Sequence, residues 1–158
     1  AAAVASDETT GSLQGKLAPI GARLLLETLT RLKTGSLLPQ EQDESAVTFA
    51  PILKKEDGLI DWSQPAIMIE RRVRGFDPWP GAYSHISGKL LKVHRARVVT
   101  ADAKGRPGEV MRADEGGLWV ATSSGVLELE EVQLENRKRL SGVAFLRGAR
   151  IKAGDRLQ

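Results

Sequence analysis

Lysine and arginine gather in three short clusters in the later part of the chain. They are Lys54-Lys55; Lys89, Lys92, Arg95 and Arg97; and Arg137-Lys138-Arg139. Such groups exchange condensed counterions for ionic contacts to phosphate, which is the chemistry that holds a polynucleotide backbone. The clusters sit on an uneven charge background. Residues 1–46 carry four Lys/Arg against six Asp/Glu, while residues 47–158 carry nineteen against fourteen. The later region holds only Tyr83, Trp119 and Phe145 as aromatics within its strand-like part. Bases of a single strand stack on aromatic side chains, so structured RNA met through its phosphates fits this composition better than single-strand readout.

The other reactive groups form no catalytic pattern. The only histidines, His85 and His94, lie in strand-like segments, and cysteine is absent. That removes disulfides, thiolate nucleophiles and Cys-ligated metal sites, and no zinc or calcium spacing is present. No glycine-rich phosphate loop of the dinucleotide or Walker type occurs. Glu56, Asp57 and Asp61 are close in sequence, but at the start of a domain carboxylates of this kind cap turns or pair with neighbouring lysines. No apolar run reaches the length of a membrane span, and there is no secretory signal. The composition fits an intracellular protein. The opening A-A-A-V-A-S lacks an initiating Met, so the chain is expected to begin inside a longer polypeptide.

Elements must position these groups. Leu13, Leu17, Ile20, Leu24, Thr28 and Leu32 recur at steps of three and four, which predicts a helix over Ser12–Lys33. Ser12 is its expected N-cap, Gly35 its left-handed stop, and Pro19 a kink or a break. This leucine-rich stripe needs a partner to cover it. Residues 38–48 are polar and aperiodic and read as an extended linker. Ser63 is placed to cap a helix to about Arg74, with Ile69 and Val73 facing inward. Strands are expected at 82–86, 89–100, 108–112, 118–121 and 126–133, separated by glycine-containing turns, and a helical turn or two at 141–146. Five short strands at this spacing suggest a small barrel of the oligonucleotide-binding type.

Two tryptophans flank the predicted second helix. Asp61-Trp62-Ser63 puts Trp62 where it can staple the helix start. Asp77-Pro78-Trp79-Pro80 holds Trp79 between two fixed φ angles, which suits a rigid corner. Trp62, Pro78, Trp79 and Pro80 are therefore expected to be structural.

These residues, in this order, closely resemble the C-terminal half of the bacterial methionyl-tRNA formyltransferase family. The resemblance rests on D-E-T-T-G-S-L-x-x-K-L at 7–17, P-Q-x-Q-D-E-S at 39–45 and F-A-P-x-L-x-K-E-D-G-x-I-D-W-S at 49–63. It continues through F-x-P-W-P-G-A at 76–82, K-V-x-R-A at 92–96, P-G-x-V at 107–110, V-A-T at 120–122, V-Q-x-E-x-R-K-R at 132–139 and F-L-x-G-x-R at 145–150. The P-W-P-G-A corner is also similar to that of sugar-nucleotide formyltransferases and formyl-tetrahydrofolate dehydrogenases, whereas the connector and the D-E-T-T-G-S-L stretch are not. Two positions depart from the family pattern: Ile52 replaces a frequent lysine, and His94 stands where an aromatic follows K-V.

The resemblance implies a mainly β fold with three parts. Residues 1–37 would be the terminal helix of a Rossmann-like α/β catalytic domain, 38–57 a linker, and 58–158 an oligonucleotide-binding-like barrel. It implies that the parent enzyme, a cytoplasmic monomer, transfers a formyl group from 10-formyltetrahydrofolate to initiator methionyl-tRNA. The catalytic Asn, His and Asp would lie before Ala1, so this part would be inactive alone and hold no cofactor or metal. Its partners would be initiator tRNA and the N-terminal catalytic domain, with no membrane. The expected tRNA contacts are Lys54, Lys55, Lys89, Lys92, Arg95, Arg137, Lys138 and Arg139. A free-standing RNA-binding module and a sugar-nucleotide formyltransferase fragment are the alternatives.

Overall fold

The computed structural model describes residues 1–100 and 104–158. It divides into two compact units, Ala1–Leu53 and Lys54–Gln158.

The first unit is built on one helix, α1 (Thr10–Lys33). Its N-cap is Thr9 rather than Ser12. The Thr9 hydroxyl accepts from the Ser12 N–H, and the Ser12 hydroxyl accepts from the Thr9 N–H in return. Several neighbouring hydroxyls competed for the cap, and the reciprocal pair three residues apart satisfies two orphan donors at once. Pro19 does not split the helix. The C-terminus ends as a Schellman turn: Gly35 takes φ 66° and donates to the Leu32 carbonyl, and Ser36 donates to that of Arg31. Leu17, Ile20, Leu24, Leu29 and Leu32 are all exposed along α1, which buries no residue. Within the stretch expected to be extended, Glu44–Ala46 forms a single 3-10 turn capped by Asp43.

The second unit is mainly β, as expected. It contains α2 (Ala66–Gly75), β1 (Ala82–Ile86), β2 (Lys89–Val99), β3 (Val110–Asp114), β4 (Gly117–Ala121), β5 (Val126–Leu134), β6 (Leu140–Ser141) and α3 (Gly142–Gly148). The strands pair antiparallel in the order β1-β2-β5-β4-β3, with β6 added to β5. The third strand begins two residues later than expected. The cap of α2 is Pro65, not Ser63. Ser63 instead donates, through its N–H and its hydroxyl, to the Asp61 carboxylate in a tight turn. Trp62 is thus not at the staple position.

The C-terminal residues join the two ends of this sheet. Gln158 exchanges both backbone hydrogen bonds with His85 on β1, at 2.8 and 2.9 Å. On the other side, Leu157 donates to Gly108 and Val110 donates to Asp155, each at 2.8 Å. The closing segment carries only one apolar residue, Leu157, which is fully buried. The core combines Leu91, Val93, Val110, Leu118, Val120, Leu127, Leu129 and Val132 from the strands with Ala66, Ile69 and Val73 from α2 and Phe145 from α3. Trp62 belongs to this core at 5% exposure, and its Nε1–H donates to the Ser84 hydroxyl at 3.0 Å. That hydroxyl donates onward to the Gln158 carbonyl at 2.8 Å. One tryptophan therefore reads out both β1 and the closing strand.

Candidate nucleic-acid interface

The basic residues of β2 depend on a bulge. Val93 pairs with Val132 and Arg95 with Glu131, but Ala96 pairs with Leu129, so the register shifts twice around Arg95. In a regular strand, Lys92 and Arg95, three apart, would point to opposite faces. The bulge re-phases the strand: Leu91, Val93 and Ala96 are buried while Lys89, Lys92, Arg95 and Arg97 are all exposed.

The structure then sorts the expected contacts into two groups. Arg95 and Arg97 lie opposite the wet face of β5, where Glu128 and Glu130 alternate with the buried Leu127 and Leu129. Arg95 Nε is 3.0 Å from Glu130, and Arg97 bridges Glu130 and Glu128. Arg139 pairs with Glu131 in the same way. Their charge is locally balanced. Lys54, Lys55, Lys89, Lys92, Arg137 and Lys138 have no ion pair among the described residues.

Two of the three clusters meet in space. Lys89, Arg137 and Lys138 line one open cleft between the start of β2, the β5–β6 turn and α3, over a floor that includes Leu134, Leu140 and Phe145. Lys92, His94 and Arg139 line a smaller one beside Pro78 and Pro80. The turn between β5 and β6 is fixed from several sides. Glu135 donates its N–H to the Leu90 carbonyl, and its carboxylate accepts from the Leu90 N–H. Gln133 Nε2 donates to the Arg137 carbonyl at 2.9 Å, and Asn136 takes φ 58°. Lys54 and Lys55 line neither cleft. They begin the 3-10 turn at 55–58, whose following residue Leu59 bridges Tyr83 on β1, the strand beside Lys92.

The remaining candidates have structural partners. The Asp57 carboxylate accepts from the Lys54 N–H, and its carbonyl accepts from Arg72. Asp61 is held below the usual carboxylate range, first by the Ser63 hydroxyl and then by Gln64 and the Ser63 N–H. His85 meets the Tyr83 ring edge-on, whereas Gln133 Oε1 accepts a hydrogen bond from His94 Nε2 at 3.0 Å. Among the described residues no three His, Asp or Glu side chains come together as a metal site would require, and no helix is long and apolar enough to cross a membrane. Pro78 and Pro80 both follow cis peptides, and the Gly81 N–H donates to the Phe76 carbonyl at 2.9 Å. Trp79 differs from Trp62: it is 56% exposed and outside the core.

The unit is a small antiparallel β fold that exposes cationic side chains at one strand end. Residues 52–150 match the family model of the formyl transferase C-terminal domain, and the chain belongs to that family. It is 48% identical, over 96% of its residues, to the methionyl-tRNA formyltransferase of Citrifermentans bemidjiense. Its identity to that of Geobacter metallireducens is 47% over 98% of its residues. The chain spans about half the length of these curated relatives, 47% and 49% respectively. Among solved structures, a variant of HypX from Aquifex aeolicus shares the fold, with a TM-score of 0.62 at 23% identity over 90% of this chain and 26% of that one. HypX in complex with tetrahydrofolic acid matches with a TM-score of 0.55 at 26% identity, over 77% of this chain and 22% of that one.

Proposed function

We propose that this chain is the tRNA-holding C-terminal portion of a methionyl-tRNA formyltransferase. In this reading, residues 1–37 close a catalytic domain, 38–57 link it onward, and 58–158 bind initiator tRNA. The whole enzyme works as a monomer in the cytoplasm, takes 10-formyltetrahydrofolate as formyl donor and carries its catalytic residues in the N-terminal domain. The relatives' shared name and the half-length match support the family role. The observation that carries the binding role is that Lys89, Arg137 and Lys138 line one cleft and form no ion pair among the described residues, the Glu135 carboxylate that also lines it being engaged by the Leu90 N–H.

The division of labour follows from the reaction. An aminoacyl amine must be held against a formyl carbon, and holding two reactants in register converts a bimolecular encounter into an effectively unimolecular step. For a substrate as large as tRNA, ionic contacts far from the amine supply that register. Arg95 and Arg139 contribute less than the unpaired cations, because an arriving phosphate must compete with Glu130 and Glu131.

Two assays on the 158-residue chain test this. Initiator tRNA is expected to bind and a nucleotide sugar is not, and the chain is expected to give no formyl transfer when supplied with 10-formyltetrahydrofolate and charged initiator tRNA. Binding of the nucleotide sugar in place of tRNA, or turnover by the chain alone, would overturn the proposal.

A further inference from the structure

We infer that Gln133 is a positioning residue that holds the Glu135–Arg139 turn as a preformed seat for RNA phosphates, an inference that rests on the RNA-binding reading above. The turn's main chain is held at Glu135 and at both polar groups of Arg137. The Arg137 N–H donates to the Leu134 carbonyl at 3.0 Å, and the Arg137 carbonyl accepts from Gln133 Nε2 at 2.9 Å. Glu135 is tied to Leu90 through both its N–H and its carboxylate, and Arg139 is tied to Glu131. Gln133 is itself oriented, because its Oε1 faces His94 Nε2 at 3.0 Å while its Nε2 faces the turn.

These contacts order the turn from both sides, and the two side chains at its centre take no part in them. Arg137 and Lys138 are exposed, with no ion pair or side-chain hydrogen bond among the described residues, and Lys89 faces them across the cleft. A turn fixed only for stability needs no cations at its tip. A turn that presents two cations to a phosphate backbone gains from being fixed beforehand, since ordering on binding weakens affinity. Gln133 touches no phosphate in this scheme. Its amide acts through Arg137 and Lys138.

The test is a double-mutant cycle in initiator tRNA binding, with the transcript titrated at several salt concentrations. Gln133→Leu removes the amide and leaves the Arg137 carbonyl without its donor. It is expected to weaken binding about fivefold, the worth of one hydrogen bond of about 1 kcal/mol, and to flatten the salt slope by about one phosphate contact. Added to Arg137→Ala with Lys138→Ala, it is expected to cost nothing further. Gln133→Met provides a second variant of similar length should the leucine chain fail to fold, and thermal melts monitor folding throughout. Unchanged binding by the folded variants would overturn the inference, as would a full penalty persisting without Arg137 and Lys138, while the RNA reading stands. Absence of tRNA binding by the unaltered chain would overturn both.

Discussion

Ser84 shows how much can rest on one hydroxyl. It accepts from buried Trp62 and donates to the Gln158 carbonyl, so it links the start of the barrel to its last residue. Ser84→Ala leaves the indole N–H unpaired in the core and is expected to cost about 1–3 kcal/mol, read as a lower urea midpoint with an unchanged m-value. Asp61 gives a pH-dependent counterpart. Its folded-state carboxyl is held below the ordinary value, so the turn it caps contributes stability above the ordinary carboxylate range. That contribution is lost as pH falls through that range towards the lowered folded value. Asp61→Asn is expected to flatten this part of the acid dependence of the melting temperature, and a curve parallel to the unaltered chain would exclude the effect. Lys54 and Lys55 are exposed at the start of the second unit and have no ion pair among the described residues. Replacing both by Ala is expected to weaken tRNA binding and lower the salt slope by up to about two.

At the scale of elements, the sequence marked those whose cause is local. Strand-like runs between glycine-containing turns placed β1, β2, β4 and β5 closely, and the three- and four-residue steps of leucine placed α1. Elements caused by distant pairing left no such trace. β6 is two residues long and exists only because β5 offers it an edge. The tail at 155–158 carries a single apolar residue and no strand pattern, yet it pairs with both β1 and the Gly108–Val110 segment. The bulge at Arg95 and the Arg95–Glu130 and Arg97–Glu128 pairs were equally hidden, because they follow from β2–β5 register across a long stretch of chain. Basic clusters were therefore legible as residues, while their division into balanced and unbalanced groups was not. The closure can be tested at Gly108, which takes φ 84° with the Leu157 carbonyl 2.5 Å from where a Cβ would stand. Gly108→Ala is expected to destabilise the unit by about 1–3 kcal/mol or more, measured by thermal or urea unfolding.

At the scale of the whole molecule, charge and coverage point the same way. The acidic balance of residues 1–46 and the basic balance of 47–158 separate the chain into a part that would repel a polyanion and a part that would attract one. The family match at 52–150 falls on the basic part. Within that part, the described residues bring Lys89, Arg137 and Lys138 to one cleft at a strand end. The proposed tRNA affinity through phosphate contacts is checked by measuring the Kd for initiator tRNA across a salt series. Log affinity is expected to fall linearly with log salt, with a slope of several phosphates. Affinity that does not change with salt, or no binding at low salt, would contradict it.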